Sequence, residues 1–126
     1  MGTWIMIVIT YILIPALMTG AGWMIWKTPP KTINAMYGYR TRMSSLNQYT
    51  WRFAQEYAGR LWVRWGIRMM PVSLLLLMFF AASGEAAAST AGSVLCMVQI
   101  VIMLSSSAVV ERMLTKVFDK YGNLKQ

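Results

Sequence analysis

The sequence predicts an all-α membrane protein with three transmembrane helices, and three observations carry that expectation. Hydrophobic residues make up 57% of the chain and charged residues 13%, against about 25% charged in soluble domains. Three apolar segments approach or exceed the roughly 18 to 20 residues that cross a bilayer. Eight of the 12 Lys and Arg residues fall between Lys27 and Arg68 and four after Glu111, so none lies in the first or third apolar run. A cytoplasmic polar loop and an interfacial amphipathic helix are expected between the first and second crossings.

The first crossing reads as Trp4 to Trp26, 23 residues without a charge. No basic stretch precedes it and it is longer than the apolar core of a signal peptide, so it is expected to be retained as a membrane span. Trp4, Trp23 and Trp26 suit interfacial anchoring. Pro15 removes one backbone hydrogen bond, which predicts a kink near Tyr11 to Pro15. Ala16 and Gly20 have the small-xxx-small spacing that lets another helix approach.

Pro29-Pro30 ends that helix, because a residue before proline is pushed out of the helical region. Lys27 to Ser45 reads as an ordered surface loop, with Gly38 at a turn that a side chain would obstruct. Asn47 to Arg68 then reads as a helix, with Ser44 or Ser45 as its N-cap. Arg52, Glu56, Arg60, Arg64 and Arg68 recur every four residues, so this row winds slowly around the helix. Glu56 is placed to pair with Arg52 and Arg60. Phe53, Tyr57, Leu61 and Trp65 form a parallel row. A basic row beside an aromatic row predicts a helix lying at the interface before it enters the bilayer.

The apolar run from Met69 to Ala82 is 14 residues, too short to span alone. The second crossing is therefore expected at about residues 62–82, with Arg64 and Arg68 reaching back to the interface. Ser83 to Ser93 reads as a small-residue link in which Gly84, Ala88 and Gly92 are four apart. The third crossing is expected at about 91–110, with Gln99 and Ser105 to Ser107 bonding between helices rather than lining a pore. A polar tail follows from Glu111. The distribution of basic residues places the first linker and the C-terminus in the cytoplasm, with the N-terminus and Glu85 outside. The expected location is the cell membrane.

Composition also bounds the function. A net charge of +8 would suggest nucleic acid in a soluble protein, but here the charge flanks membrane segments and no nucleic-acid module accompanies it. The chain has no histidine, the commonest general base and metal ligand. Its four acids, Glu56, Glu85, Glu111 and Asp119, are scattered over separate segments. No metal site, cofactor or enzymatic activity is expected. Cys96, the single cysteine, reads as a small core residue.

The polar stretch from Ile33 to Trp51 is where recognition chemistry would sit. Pro29-Pro30-Lys31, Asn34, Tyr37-Gly38-Tyr39-Arg40-Thr41, Ser44, Asn47, Thr50-Trp51, Ala54 and Gly59 together resemble the signature of the SdpI-type membrane protein family. The resemblance covers roughly residues 27 to 62. Gln55 stands where that family tends to have Asn, which keeps an amide on a longer arm. The family is named for the immunity protein of a bacterial cannibalism peptide toxin, which is also understood to recruit a transcriptional repressor to the membrane. The resemblance therefore implies protection against a membrane-active peptide, with a cytoplasmic repressor as a further partner.

Asn34, Tyr37, Tyr39, Arg40, Arg42, Asn47 and Trp51 are the candidate binding residues. Arg40 is expected at the centre of a cluster with Tyr37, Tyr39, Asn47 and Trp51, holding a carboxylate or phosphate by a two-pronged hydrogen bond. The competing reading gives these side chains to the loop itself, satisfying its backbone and pinning it to the helix ends. At the level of the whole protein, the alternative to a protective binding module is a structural or accessory subunit of a larger membrane complex. Transport is a weaker third reading, because ionisable groups deep in the apolar runs are missing. Membrane lipids are expected partners, and self-association and binding to another membrane protein both stay open.

Overall fold

Three long helices account for most of the chain: α1 (Gly2–Lys27), α2 (Gln48–Ala81) and α3 (Glu85–Val117). They come from a computed structural model that describes residues 2–34 and 36–125. Each helix is long and apolar enough to cross a membrane. The protein is an all-helical membrane protein.

The helices alternate in direction. Near one end Ile7 and Tyr11 of α1 pack with Ala88 of α3 and with Leu76, Leu77 and Phe80 of α2. Near the other, Ala54, Ala58 and Leu61 of α2 pack with Val110 and Leu114 of α3. Thus α1 and α3 run parallel and α2 runs against both. In α1 the buried residues Ile7, Tyr11, Ile14, Met18, Gly22 and Ile25 recur at the three- and four-residue spacing of one helical face.

Close approach of α1 and α2 depends on glycines other than the one the sequence singled out. A Cβ on Gly22 would lie 2.7 Å from Trp62 Cβ, and one on Gly59 would lie 2.7 Å from the Trp26 backbone nitrogen. Gly66 is likewise pressed against Thr19 and the Pro15 carbonyl. Ala16 and Gly20, the expected contact pair, are exposed instead. They sit on a different stripe of α1 from Gly22, which explains the difference. The helix runs on through Pro15, which is buried, and the Thr19 hydroxyl donates to the Pro15 carbonyl at 2.8 Å.

The helix read from Asn47 to Arg68 and the crossing expected at about 62–82 are joined in α2, one unbroken helix of 34 residues. At about 1.5 Å per residue it is about 51 Å long, well beyond the roughly 30 Å hydrocarbon core. Its first half packs against the rest of the molecule: Trp51, Ala54, Gln55, Ala58, Gly59 and Leu61 are buried. The small side chains among them open a face to α1 and α3, while Arg52, Glu56, Arg60, Arg64 and Arg68 are exposed. Phe53 stacks on Tyr57 (5.9 Å between centroids) and meets Phe118 edge-on at 5.7 Å. Among the described residues one ion pair forms, Glu56 with Arg60 at 2.7 Å.

The second connection is also shorter than expected. Only Ala82, Ser83 and Gly84 separate α2 from α3, because Gly84 makes the turn at φ +107 and the alanines after it favour helix. Ala88 and Gly92 pack against α1, as their spacing suggests: Tyr11 donates to the Ala88 carbonyl at 2.8 Å, and its ring covers Gly92. Two polar side chains of α3 bond to α2. Gln99 donates to Ser73 at 2.5 Å, and Ser106 accepts from Trp62 Nε1 at 2.9 Å. Ser105 instead turns back to its own helix, at the Ile102 carbonyl. Cys96, expected in the core, is half-buried. After α3 the chain folds back through a bridge between Phe118 and Leu124.

Candidate functional site

The polar loop between α1 and α2 is fastened at nearly every motif residue. Asn34 begins it: its side-chain oxygen accepts from the Met36 and Tyr37 amides at 2.9 and 2.7 Å, and its amide donates to the Thr32 carbonyl. This is the local turn that Asn forms readily. Tyr37 reaches back to the end of α1, donating to the Thr28 carbonyl at 3.0 Å.

At the centre stands a clamp made by Gln55. Its side-chain oxygen accepts the Tyr39 amide at 2.6 Å and its nitrogen donates to the Tyr39 carbonyl at 2.5 Å. One side-chain amide thus satisfies both polar groups of a buried residue, which would otherwise cost about 1–3 kcal/mol each. Gly38 is required beside it. Its φ is +100, and a Cβ there would lie 2.5 Å from Gln55 Oε1 and 2.7 Å from Pro30 Cγ. The Tyr39 ring continues across the molecule to α3, where its hydroxyl donates to Glu111 at 2.9 Å and lies 3.2 Å from the Ser107 hydroxyl. Burial, with a contribution from the nearby Glu111 carboxylate, pushes the Tyr39 phenol up to about 12.

The remaining fastenings close the loop onto α2. Ser44 is buried, accepts the Thr41 amide at 2.8 Å and donates to the Thr41 carbonyl at 3.0 Å. It is therefore a loop residue and not the helix cap. Asn47 is the cap: its side chain accepts the Thr50 amide at 2.9 Å, and the Thr50 hydroxyl accepts the Asn47 amide at 3.1 Å. Reciprocal bonds of this kind satisfy the orphan donors of a first helical turn. Asn47 also donates to the Gly122 carbonyl at 2.7 Å, tying the C-terminal segment to the loop. Trp51 is fully buried and donates to the Pro30 carbonyl at 2.8 Å.

Arg40 does not hold the centre of this arrangement. It and Arg42 are exposed, and neither side chain makes a hydrogen bond or ion pair among the described residues. The chain alternates here: Tyr39 turns in to Gln55 and α3, so its neighbour turns out. The structure gathers Tyr39 and Trp51 around Gln55 and Pro30, and sets Asn47 on a second junction with Thr50 and Gly122. Gln55, Thr50, Ser107, Glu111 and Gly122 are the partners missing from the sequence-derived set. Gln55 carried a visible signal, as the residue that departs from the family pattern. The distant partners on α3 and the tail had none.

What the loop offers outward is charge on a fixed frame. A hollow of about 260 Å³ lies between the Pro29–Pro30 corner and the first turn of α2, with Trp51 in its wall and Lys31 and Arg52 on its rim. Arg40 and Arg42 add two further cations on the loop. Such a surface can bind a carboxylate or phosphate without rearranging its backbone.

A family model described as the SdpI/YfhL protein family matches residues 31–109. The chain belongs to that family. The match takes in the polar loop from Lys31, all of α2 and most of α3, so the Gln55–Tyr39 clamp lies inside the family region and Glu111 just beyond it. The chain is also similar to the uncharacterized protein YfhL of Bacillus subtilis (strain 168), 42% identical over 59 residues. That stretch is 47% of this chain and 54% of YfhL, so the chain matches about half the length of this curated relative. No solved structure matches the chain.

Proposed function

We propose that this SdpI/YfhL family member is a membrane-embedded binding module that protects the cell against a membrane-active peptide. The observation that carries the reading is a loop whose own polar needs are met internally while Arg40, Arg42, Lys31 and Arg52 stay exposed around it. None of these cations has a carboxylate partner among the described residues, so each is open to an anionic group. Arg40 recognises a carboxylate through its planar fork, and the Pro–Trp hollow receives an apolar side chain. In this reading the loop faces the cytoplasm, as the basic residues around it suggest, and the same surface recruits a repressor there.

The test is a resistance assay with a panel of membrane-active peptides, with protein level in the membrane measured in parallel. Cells carrying the protein should survive a peptide that kills cells without it. Arg40→Ala should remove that protection with the protein still in the membrane. Arg40→Lys should lose nearly as much, because charge is kept and the fork is not. Full protection by Arg40→Lys would show that charge alone suffices and that the geometric part of this reading is wrong.

A second reading, a structural or accessory subunit, draws support from α3. Ala86, Ser89, Thr90 and Ser93 leave small side chains exposed at its start, which suits another helix approaching closely. Co-purification of one stoichiometric membrane partner, with no peptide resistance, would favour it.

A further inference from the structure

A groove of about 630 Å³ opens between α1 and α2, away from the polar loop, and Ala16, Gly20, Ile67, Pro71 and Leu74 are among its lining residues. Its walls continue as two stripes toward the end of the bundle where α1 finishes. On α1, Ala16, Gly20, Trp23 and Lys27 follow one another at steps of four, three and four. On α2, read in reverse, Leu74, Pro71, Ile67, Arg64 and Arg60 follow at steps of three, four, three and four. Steps of this kind keep residues on one helical face. Because the two helices are antiparallel, both apolar stripes end in cations at the same level.

The aromatic ring between them shows that those cations converge. Lys27 Nζ lies 4.1 Å from the centroid of the Trp26 ring, and Arg60 Cζ lies 5.7 Å from it. Arg64 is one turn further along the same stripe and is exposed. Glu56 takes one edge of Arg60 at 2.7 Å, leaving Lys27 and Arg64 without a carboxylate partner among the described residues. We infer that this groove and its cationic mouth form a binding site for an anionic phospholipid, its acyl chain between α1 and α2 and its phosphate at Lys27, Arg60 and Arg64.

Charge complementarity selects this occupant over a second copy of the chain. The acids at this end are already engaged: Glu56 by Arg60, Glu111 by Tyr39, and Asp119 by the Tyr121 and Asn123 amides. Among the described residues, a second copy therefore brings no unengaged side-chain carboxylate to the mouth. A phosphodiester brings a full negative charge, and its acyl chain matches an apolar groove in which Ala16 and Gly20 leave room beside Ile67, Pro71 and Leu74. The groove's width has a local origin: Ala16 and Gly20 project almost nothing, and a Cβ on Gly20 would meet no atom within 4 Å. The site is separate from the polar loop and is independent of what the loop binds.

Native mass spectrometry of the purified chain in detergent, titrated separately with phosphatidylglycerol and phosphatidylcholine, tests it. Each cation near a membrane surface contributes roughly fivefold in affinity for an anionic lipid. Phosphatidylglycerol should therefore be retained at least roughly fivefold better than phosphatidylcholine. Arg60→Gln with Arg64→Gln should narrow that preference to what Lys27 alone supports, and Gly20→Leu, which fills the groove, should lower retention of both. Far-UV circular dichroism and melting verify that each variant is folded. If the double variant does not fold, exposed Lys27→Gln carries the charge arm and should narrow the preference. Equal retention of both lipids by the unmodified chain would overturn the proposal, as would an unchanged preference in the charge variants. Unchanged retention in Gly20→Leu would do the same. A photo-crosslinker in place of the exposed groove residue Ile67 should yield a lipid adduct in cells; an adduct to a protein instead would assign the groove to a helix and sink the lipid site.

Discussion

At the scale of single residues, Gln55 decides more about the polar loop than any of its charges. Replacing it with Ala leaves the Tyr39 amide without an acceptor, and only a long 3.4 Å bond from Ser44 reaches the Tyr39 carbonyl. The expected loss is about 2–4 kcal/mol, the cost of stranding two buried backbone groups. Gln55→Asn is one methylene shorter and should recover one of the two bonds at most. Thermal unfolding in detergent and the rate of proteolysis in the loop would measure both variants, and an Ala variant as stable as the original would remove the clamp from the account. Tyr39 gives a second prediction at this scale. Its folded value of about 12 lies above the ordinary 10.0, so folding favours the neutral phenol. That contribution is complete below about pH 10 and is lost as pH rises through about 12. Tyr39→Phe, which cannot ionise, should cost about 0.5–1.5 kcal/mol near neutrality, and the gap should close or reverse across that window. A gap that stays constant to pH 12 would mean that the phenol is not held neutral by the fold. Arg40 shows why sequence alone misplaced the centre. Residue type indicated a recognition side chain, but which of two successive residues turns inward depends on Gly38 and on an acceptor 16 positions away.

At the scale of elements, small residues and a few polar bonds set how the helices meet. Gly59→Leu would drive a side chain into the Trp26 backbone, whereas Gly20→Leu enters open space. The first should prevent accumulation of folded protein and the second should not, as judged by membrane yield and melting. The α2–α3 contact makes a subtler case. Gln99 is 2% exposed and donates to Ser73, yet its side-chain oxygen has no partner among the described residues. Interhelical bonds in membranes average only about 0.6 kcal/mol. Gln99→Leu removes the bond and the unpaired oxygen together, so it should be nearly neutral or stabilising. Ser73→Ala strands the whole amide and should be the more damaging change; the opposite order in a melting experiment would contradict this. Helix existence was readable from apolar length, and the bond from Gln99 from its polarity within an apolar run. Helix ends were not, because α2 begins where Asn47 and Thr50 happen to cap each other, and α3 begins where Gly84 adopts a positive φ. Nor could spacing alone choose Gly22 over Gly20 as the contact, since both are small and only the facing helix distinguishes them.

At the scale of the whole molecule, the distribution of charge makes a statement about orientation that the packing does not. The bundle has one end crowded with Lys27, Lys31, Arg40, Arg42, Arg52, Arg60 and Arg64, joined by the basic residues that close α3 and the tail. The other end carries the Ala82–Gly84 turn, where Glu85 is the nearest charge. Moving the basic end across a membrane would require translocating many positive side chains; moving the turn requires almost none. The α1 start and the α2–α3 turn are therefore expected outside, with the polar loop and the C-terminal segment in the cytoplasm. Cysteine labelling checks this in a Cys96→Ala background. Ser83→Cys is a better probe than a change at Gly84, because Ser83 is exposed while Gly84 holds φ +107. A membrane-impermeant thiol reagent added to intact cells should label Cys at position 83 and leave a Thr32→Cys variant untouched until the membrane is opened. Labelling in the reverse order would invert the whole arrangement. It would also remove the cytoplasmic setting on which recruitment of a repressor depends, while leaving the Gln55 clamp and the helix packing as they stand.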